Sequence, residues 1–109
     1  MVAEPERYDV WLVSLDPTKG AEIRKTRPCV VVSPNEMNRN IRTVIVAPMT
    51  SAIRAYPTRV AVTFEGKHGE IALDQLRTVD KSRLLRRLGA LPKPAVQRLC
   101  NALVEMFAP

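Results

Sequence analysis

Short apolar, β-branched runs recur along the first 80 positions of the chain, and polar turn residues separate them. Runs of this kind, bounded by Pro, Gly, Asn and Asp, are typical of β-strands. The pattern therefore predicts five strands, at residues 8–15, 28–33, 43–49, 57–64 and 70–73. A turn at 65–69 precedes the fifth strand, which residues 75–79 could extend. The polar segments between strands are predicted to be loops, at residues 21–27, 35–40 and 50–56.

The last part of the chain has a different period. Pro94 suits the first position of a helix, and apolar residues then recur every three or four positions, at Val96, Leu99, Leu103 and Met106. This stripe predicts one helix that packs on the sheet, whereas residues 84–91 fit either a strand or a helix. The fold class is therefore mainly β with a C-terminal helix, a small, strongly bent β-barrel in a single domain spanning residues 1–109.

Composition and length narrow the class of protein. The 109 residues are 46% hydrophobic and 26% charged, which excludes a disordered tail, a collagen and a disulfide scaffold. The longest apolar run, residues 44–49, is far shorter than the roughly 20 residues of a membrane span. The first residues are acidic and show no apolar signal region, so we expect a cytoplasmic protein without a membrane partner.

The residues that usually carry metal or acid–base chemistry are scarce. Cys29 and Cys100 lie alone in apolar surroundings and are predicted to be buried, reduced thiols. His68 is the one histidine and falls in the predicted turn, which argues against a catalytic triad or a two-histidine nuclease. No zinc-type spacing and no glycine-rich phosphate loop occurs, so neither a metal nor a cofactor is expected.

Positive charge is concentrated in two blocks. Residues 17–60 contain eight basic and two acidic side chains, and residues 81–98 contain six basic side chains and no acid. Arginine, which outnumbers lysine twelve to five, binds phosphate bidentately and stacks on bases. The charge favours a polyanion such as nucleic acid, although a solvated basic surface or an acidic protein partner would give the same pattern.

Glu22, Arg27 and Thr50 form the candidate catalytic set. Pro28 keeps Arg27 extended at the mouth of the second strand, with Glu22 in the loop before it and Thr50 at the end of the third strand. Such groups could cleave RNA without metal, because the ribose 2′-hydroxyl is an internal nucleophile and needs only positioning, deprotonation and charge stabilisation. The alternative is a surface ion pair between Glu22 and Arg27, with Thr50 as an ordinary strand-end hydroxyl.

Several motifs carry a family resemblance. The chain contains DVWLVSLDPTKG at 9–20, then Glu22, TRPCVVVSP at 26–34, VAPMT at 46–50 and DQLRTVD at 74–80. In order and spacing these motifs resemble the MazF/PemK toxins, endoribonucleases of toxin–antitoxin systems. The resemblance implies an SH3-like barrel as in MazF, Kid and CcdB, and a homodimer. It also implies sequence-selective, metal-independent cleavage of single-stranded mRNA to 2′,3′-cyclic phosphate and 5′-hydroxyl ends, and a cognate antitoxin.

The resemblance also assigns residues. Glu22, Arg27 and Thr50 fall on active-site positions of the family, and Asp74 falls on the acidic position of its Asp-Gln element. With Asp74 and Gln75, the residues expected to contact RNA are the basic Lys19, Arg24, Lys25 and Arg54, which would follow the RNA backbone. Ala21 and Ala72 stand where some members have histidine and arginine, so the general acid is unassigned. Trp11 is expected in the core or a dimer contact rather than stacked on a base. Base-reading roles are open for Asn35, Asn38, Arg39 and Arg54.

Two other functions remain open from the sequence. CcdB-type inhibitors of DNA gyrase share this barrel but act through C-terminal residues, which the ending MFAP does not resemble. A basic RNA-binding module without catalysis would bind RNA and give no product.

Overall fold

Seven β-strands and two helices form in the part of the chain that the computed structural model describes, residues 4–109. Residues 1–3 of the expected domain lie outside it. The strands are β1 (Asp9–Ser14), β2 (Thr26–Val31), β3 (Thr43–Thr50), β4 (Arg59–Phe64), β5 (Lys67–Ala72), β6 (Arg77–Asp80) and β7 (Leu84–Ala90). The helices are α1 (Asn35–Asn40) and α2 (Lys93–Phe107).

All strand pairs are antiparallel, in the order β4-β5-β3-β2-β1-β7. Strand β3 has two partners along one edge: residues 43–46 pair with β6, and residues 49–50 pair with β5. Because successive parts of one strand edge bind different strands, the sheet curls into a half-barrel. The prediction of a mainly β, strongly bent fold with a C-terminal helix is confirmed.

The strands β1 to β3 are apolar on both faces. Val10, Val30 and Ala47 pack on one side with Leu99 of α2, and the alternate positions, among them Trp11, pack on the other. Side chains alternate across a strand, so burial on both sides explains why these strands are nearly continuous apolar runs. Trp11 is only 5% exposed, which confirms its expected place in the core.

Residues 35–40 form α1, so the prediction of a loop there is wrong. The reason is Asn38, which is fully buried: its amide donates to the Ser33 carbonyl at 3.0 Å and its Oδ1 accepts from the Ser33 hydroxyl at 2.6 Å. The same hydroxyl accepts the backbone N–H of Ile45. Asn38 therefore ties α1 to the sheet and is not available to read a base.

The β4–β5 hairpin turns in two residues instead of the predicted five. Glu65 and Gly66 have φ of 50° and 76°, the signature of a type I′ turn, so β5 begins at Lys67. The segment 75–79 does not extend β5, because a 3₁₀ turn at Leu73–Gln75 separates it from β6. Residues 26–27 already belong to β2, and the ambiguous segment 84–91 is mostly strand β7.

The two cysteines are free thiols in different surroundings. Cys29 is buried, which raises its pKa to about 12. Cys100 is half-buried, with its Sγ 3.1 Å from the Tyr8 hydroxyl. Within residues 4–109, no helix combines the length and the apolar character that crossing a bilayer requires.

Candidate active site

The sheet brings Arg27 and Thr50 together. Cys29 of β2 lies opposite Pro48 of β3, and the same antiparallel register, continued by two residues, sets Arg27 opposite Thr50. Both side chains are half-buried and line one cavity of about 310 Å³, here called the strand-end cavity. Arg27 Nε donates to the Arg24 carbonyl at 2.8 Å, which leaves the two terminal amino groups of the guanidinium to bind a ligand.

Glu22 lies in a neighbouring cavity of about 340 Å³, here called the loop cavity, whose lining includes Pro48, Asp74 and Gln75. Its carboxylate accepts the backbone N–H of Lys19 at 2.5 Å and forms no ion pair with Arg27. The alternative of a surface pair between Glu22 and Arg27 is therefore wrong. The linings of the two cavities approach each other along β3, where Pro48 of one and Thr50 of the other are two residues, about 7 Å, apart.

Gln75 holds the backbone on both sides of Glu22. Its Oε1 accepts the Ile23 N–H at 3.2 Å, and its Nε2 is 3.4 Å from the Ala21 carbonyl. The Gln75 amide, expected from the resemblance to contact RNA, is thus engaged by the loop that carries Glu22.

Two arginines fix the start of the same loop. Arg77 donates to the Leu15 carbonyl at 2.9 Å, and Arg83 donates to the carbonyls of Ser14 and Asp16 at 3.1 and 2.6 Å. Backbone carbonyls need hydrogen-bond donors, and these guanidinium groups supply them at the end of β1 and just beyond it. The side chains expected to track RNA from this anchored loop are exposed, namely Lys19, Arg24 and Lys25.

For the endoribonuclease activity that the resemblance implies, Gln75→Ala is expected to lower kcat on the order of tenfold and to leave KM nearly unchanged. The substitution removes two hydrogen bonds worth about 1 kcal/mol each, so Glu22 loses its fixed position. Gln75→Glu keeps an acceptor for Ile23 but repels the Ala21 carbonyl and should not restore kcat. Gln97→Ala is the matched control, because the Gln97 amide donates to Asn101 on the same helix α2, away from both cavities. An unchanged kcat for Gln75→Ala would contradict the positioning role.

Asp74 is part of an ion cluster that the sequence analysis missed. Its two carboxylate oxygens accept from Arg59 at 2.7 and 3.2 Å, and Thr58 donates to it at 3.1 Å. The Arg59 hydrogen bond is the main cause that lowers the Asp74 pKa. Arg59 is also 3.4 Å from the buried Glu70. The Asp74 carboxylate, expected to contact RNA, is therefore already bound within the chain.

Glu70 fixes the loop that follows β3. Its two oxygens accept the backbone N–H groups of Arg54 and Ala55 at 3.0 and 3.1 Å, and these bonds, with Arg59, lower the Glu70 pKa. The side chain of Arg54 is exposed on this anchored loop, where it can reach a polyanion. Sequence spacing gave no signal for this cluster, because its members come from separate strands and loops.

Much of the positive charge has a structural use. Arg59, Arg77 and Arg83 bind groups within the chain, Arg98 donates to the Ala61 carbonyl, and Arg87 pairs with the buried Asp9. In the basic block at 81–98, Lys81 and Arg87 are paired with acids, whereas the carbonyl-bound Arg83 and Arg98 keep their positive charge. Lys67, exposed at the start of β5, lines the strand-end cavity. The exposed cations of the β1–β2 loop and Arg54 lie on the loops that carry Glu22 and follow Thr50.

His68 lines the strand-end cavity with Arg27 and Thr50. It belongs to β5 and not to a turn, and the two-residue turn at Glu65-Gly66 was the signal that could have placed it there. Within residues 4–109, no three His, Cys, Asp or Glu side chains are grouped closely enough to hold a metal ion.

Comparison with known proteins decides the family. The model of the PemK-like, MazF-like toxins of type II toxin–antitoxin systems matches residues 6–107. The chain belongs to this family. Endoribonuclease PemK of Escherichia coli is 37% identical over 107 residues, covering 93% of this chain and 80% of the relative. These matches confirm the resemblance found in the sequence, support the expected endoribonuclease activity and do not favour gyrase inhibition.

Solved structures of similar toxins confirm the fold. MazF of Deinococcus radiodurans superposes with a TM-score of 0.86 at 24% identity, over 99% of this chain and all of the other. A mycobacterial endoribonuclease, solved in complex with its cognate antitoxin, has a TM-score of 0.81 at 25% identity and covers 96% of this chain and 97% of its own. The toxin fold therefore extends over nearly the whole chain.

Proposed function

We propose that this toxin cleaves single-stranded RNA at selected sequences, without a metal ion, by attack of a ribose 2′-hydroxyl on the adjacent phosphate. The bond from O2′ to phosphorus forms, the bond to O5′ breaks, and the leaving O5′ takes up a proton. The products are a 2′,3′-cyclic phosphate and a 5′-hydroxyl. The observation that carries the proposal is the strand-end cavity, where a guanidinium and a hydroxyl converge beside the cavity of Glu22.

Each group has a role that suits its chemistry. Glu22 is exposed and only Oε1 is engaged by Lys19, so Oε2 can take the proton of the 2′-hydroxyl as general base. The terminal amino groups of Arg27 stabilise the extra negative charge of the pentacoordinate phosphorane. Thr50 donates to a non-bridging oxygen. The exposed cations Lys19, Arg24, Lys25 and Arg54 follow the RNA backbone.

An RNA oligonucleotide with one mapped cut site tests this function. Cleavage in EDTA should leave a 2′,3′-cyclic phosphate, and a single 2′-deoxyribose at the cut should abolish cleavage while binding is largely kept. A deoxyribose placed three nucleotides away is the control and should be cleaved normally. Cleavage at the deoxyribose, or activity that needs added Mg²⁺, would contradict the mechanism.

The expected partners follow from the relatives. The mycobacterial endoribonuclease was solved with its cognate antitoxin, and MazF of Deinococcus radiodurans was solved with MazE. We propose that this toxin forms a homodimer, binds RNA along the dimer interface and is covered there by a cognate antitoxin. Addition of that antitoxin should block cleavage and compete with the uncleavable deoxy-substituted RNA.

A further inference from the structure

The strand-end cavity contains more than the two groups that the proposed mechanism uses. Its apolar lining includes Met49, Val62, Phe64 and Leu88. Its polar lining residues are Arg27, Thr50, Ser51, Glu65, Lys67, His68 and Glu70. Its volume of about 310 Å³ is at the lower end of the range for small-molecule pockets, roughly 300–1000 Å³. A cavity that combines apolar side chains with hydrogen-bonding groups suits a flat heterocycle better than a phosphate alone.

An aromatic wall is held in place by the sheet. The half-buried Phe64 ends β4 and reaches across to β7, where Gly89 leaves room for its ring. A side chain at position 89 would put its Cβ only 3.3 Å from Phe64 Cζ. Unstacked bases of single-stranded RNA bind by stacking on aromatic side chains, and a ring that is fixed before binding loses little entropy.

His68 supplies a group that can read the edge of a base. In β5 it lies opposite Thr63, whose hydroxyl is 3.2 Å from His68 Nδ1. That contact fixes the ring and leaves Nε2 to bind a ligand. An imidazole nitrogen can donate or accept one hydrogen bond, which is enough to prefer one base edge over another.

We propose that the strand-end cavity is a nucleobase subsite. It takes the base of a nucleotide adjoining the scissile phosphate, stacked on Phe64 and read at its edge by His68, while Arg27 and Thr50 hold the phosphate. This inference rests on the proposed function. It assigns part of the sequence selectivity to β4, β5 and β7, away from the loops that carry the basic side chains.

Abasic substrates test the subsite. In the mapped oligonucleotide, single abasic ribonucleotides are placed at each position flanking the cut, and kcat/KM is measured for the wild type and for Leu88→Phe, which fills the cavity. At one position the wild type should lose on the order of tenfold in kcat/KM, the effect of one lost stacking contact. Leu88→Phe should cleave the intact substrate about tenfold more slowly and lose its dependence on the base at that position.

Two further variants serve as a control for Leu88→Phe and as an independent test of the subsite. Leu85→Phe makes the same change on the same strand at a side chain that is 55% exposed, and it should behave like the wild type. His68→Ala alters an exposed side chain and should change base preference at the same single position, even if Leu88→Phe fails to fold. If Leu88→Phe and His68→Ala lose as much kcat/KM on the abasic substrate as the wild type does, the nucleobase subsite is excluded. The proposed function would be unaffected by that result. Absence of any cleavage by the wild type would overturn the proposed function and the subsite with it.

Discussion

Replacing Arg27 with alanine is expected to lower kcat for RNA cleavage by about 100-fold to 1000-fold, the usual cost of removing one preorganised group that stabilises transition-state charge. The guanidinium extends from a strand, Nε is fixed on the Arg24 carbonyl, and the cavity partly shields it from water. Its interaction with a phosphorane is therefore stronger than it would be on a free loop. The measurement is single-turnover cleavage of the mapped oligonucleotide.

Two further variants separate charge from geometry. Arg27→Lys keeps the charge and loses the planar fork, so its loss should be intermediate, on the order of tenfold. Arg98→Ala removes an arginine on α2 and should leave kcat unchanged. Thermal midpoints and binding of the deoxy-substituted RNA show that the proteins remain folded. Retention of more than a tenth of kcat by Arg27→Ala would exclude Arg27 as the main charge stabiliser.

Replacing Arg59 with leucine is expected to lower the free energy of unfolding by about 2–3 kcal/mol, which corresponds to about 10 °C in the thermal midpoint. Arg59 faces two carboxylates, Glu70 and Asp74, and its side chain and that of Glu70 are only 7% and 6% exposed. Breaking a buried pair costs about 3–5 kcal/mol. The expected loss of about 2–3 kcal/mol is smaller than this because the Asp74 side chain keeps partial contact with water.

Arg86→Leu is the control for this prediction. Arg86 is exposed on β7, and its replacement should change stability by less than about 0.5 kcal/mol. Adding Asp74→Asn to Arg59→Leu removes a charge that has lost its partner, keeps an oxygen that accepts from Thr58, and should restore part of the stability. Equal stability of Arg59→Leu and the wild type in urea unfolding would contradict a stabilising cluster.

The same cluster sets a pH dependence. The pKa values of Glu70 and Asp74 are lowered by their hydrogen bonds and by Arg59, so both carboxylates stabilise the fold fully above their unfolded pKa values, about 4. Their contribution is lost as the pH falls through the lower folded values. In Arg59→Leu the free energy of unfolding should fall less as the pH is lowered below about 4. The reason is that Arg59 is the main cause of the lowered Asp74 pKa.

The strand pattern was largely predictable, whereas several local features were not. Alternation and turn residues located β1 to β4 to within a few residues, because a strand that buries apolar side chains imposes that period itself. The helix at 35–40 was missed, since its polar sequence folds only through the contact between Asn38 and Ser33. His68 was placed in a turn because a five-residue turn and a two-residue turn share the same polar composition.

The sequence by itself determined the family, the mainly β class and the position of Arg27 at the start of the second strand. These features depend on the spacing of apolar residues and on the order of the motifs. Only the tertiary structure decided that Thr50 and His68 share a cavity with Arg27, that Glu22 occupies the adjoining one, and that Gln75 and Glu70 hold the loops beside them. The physical reason is that register and sheet curvature bring together residues 15 to 54 positions apart. No local pattern along the chain encodes those contacts.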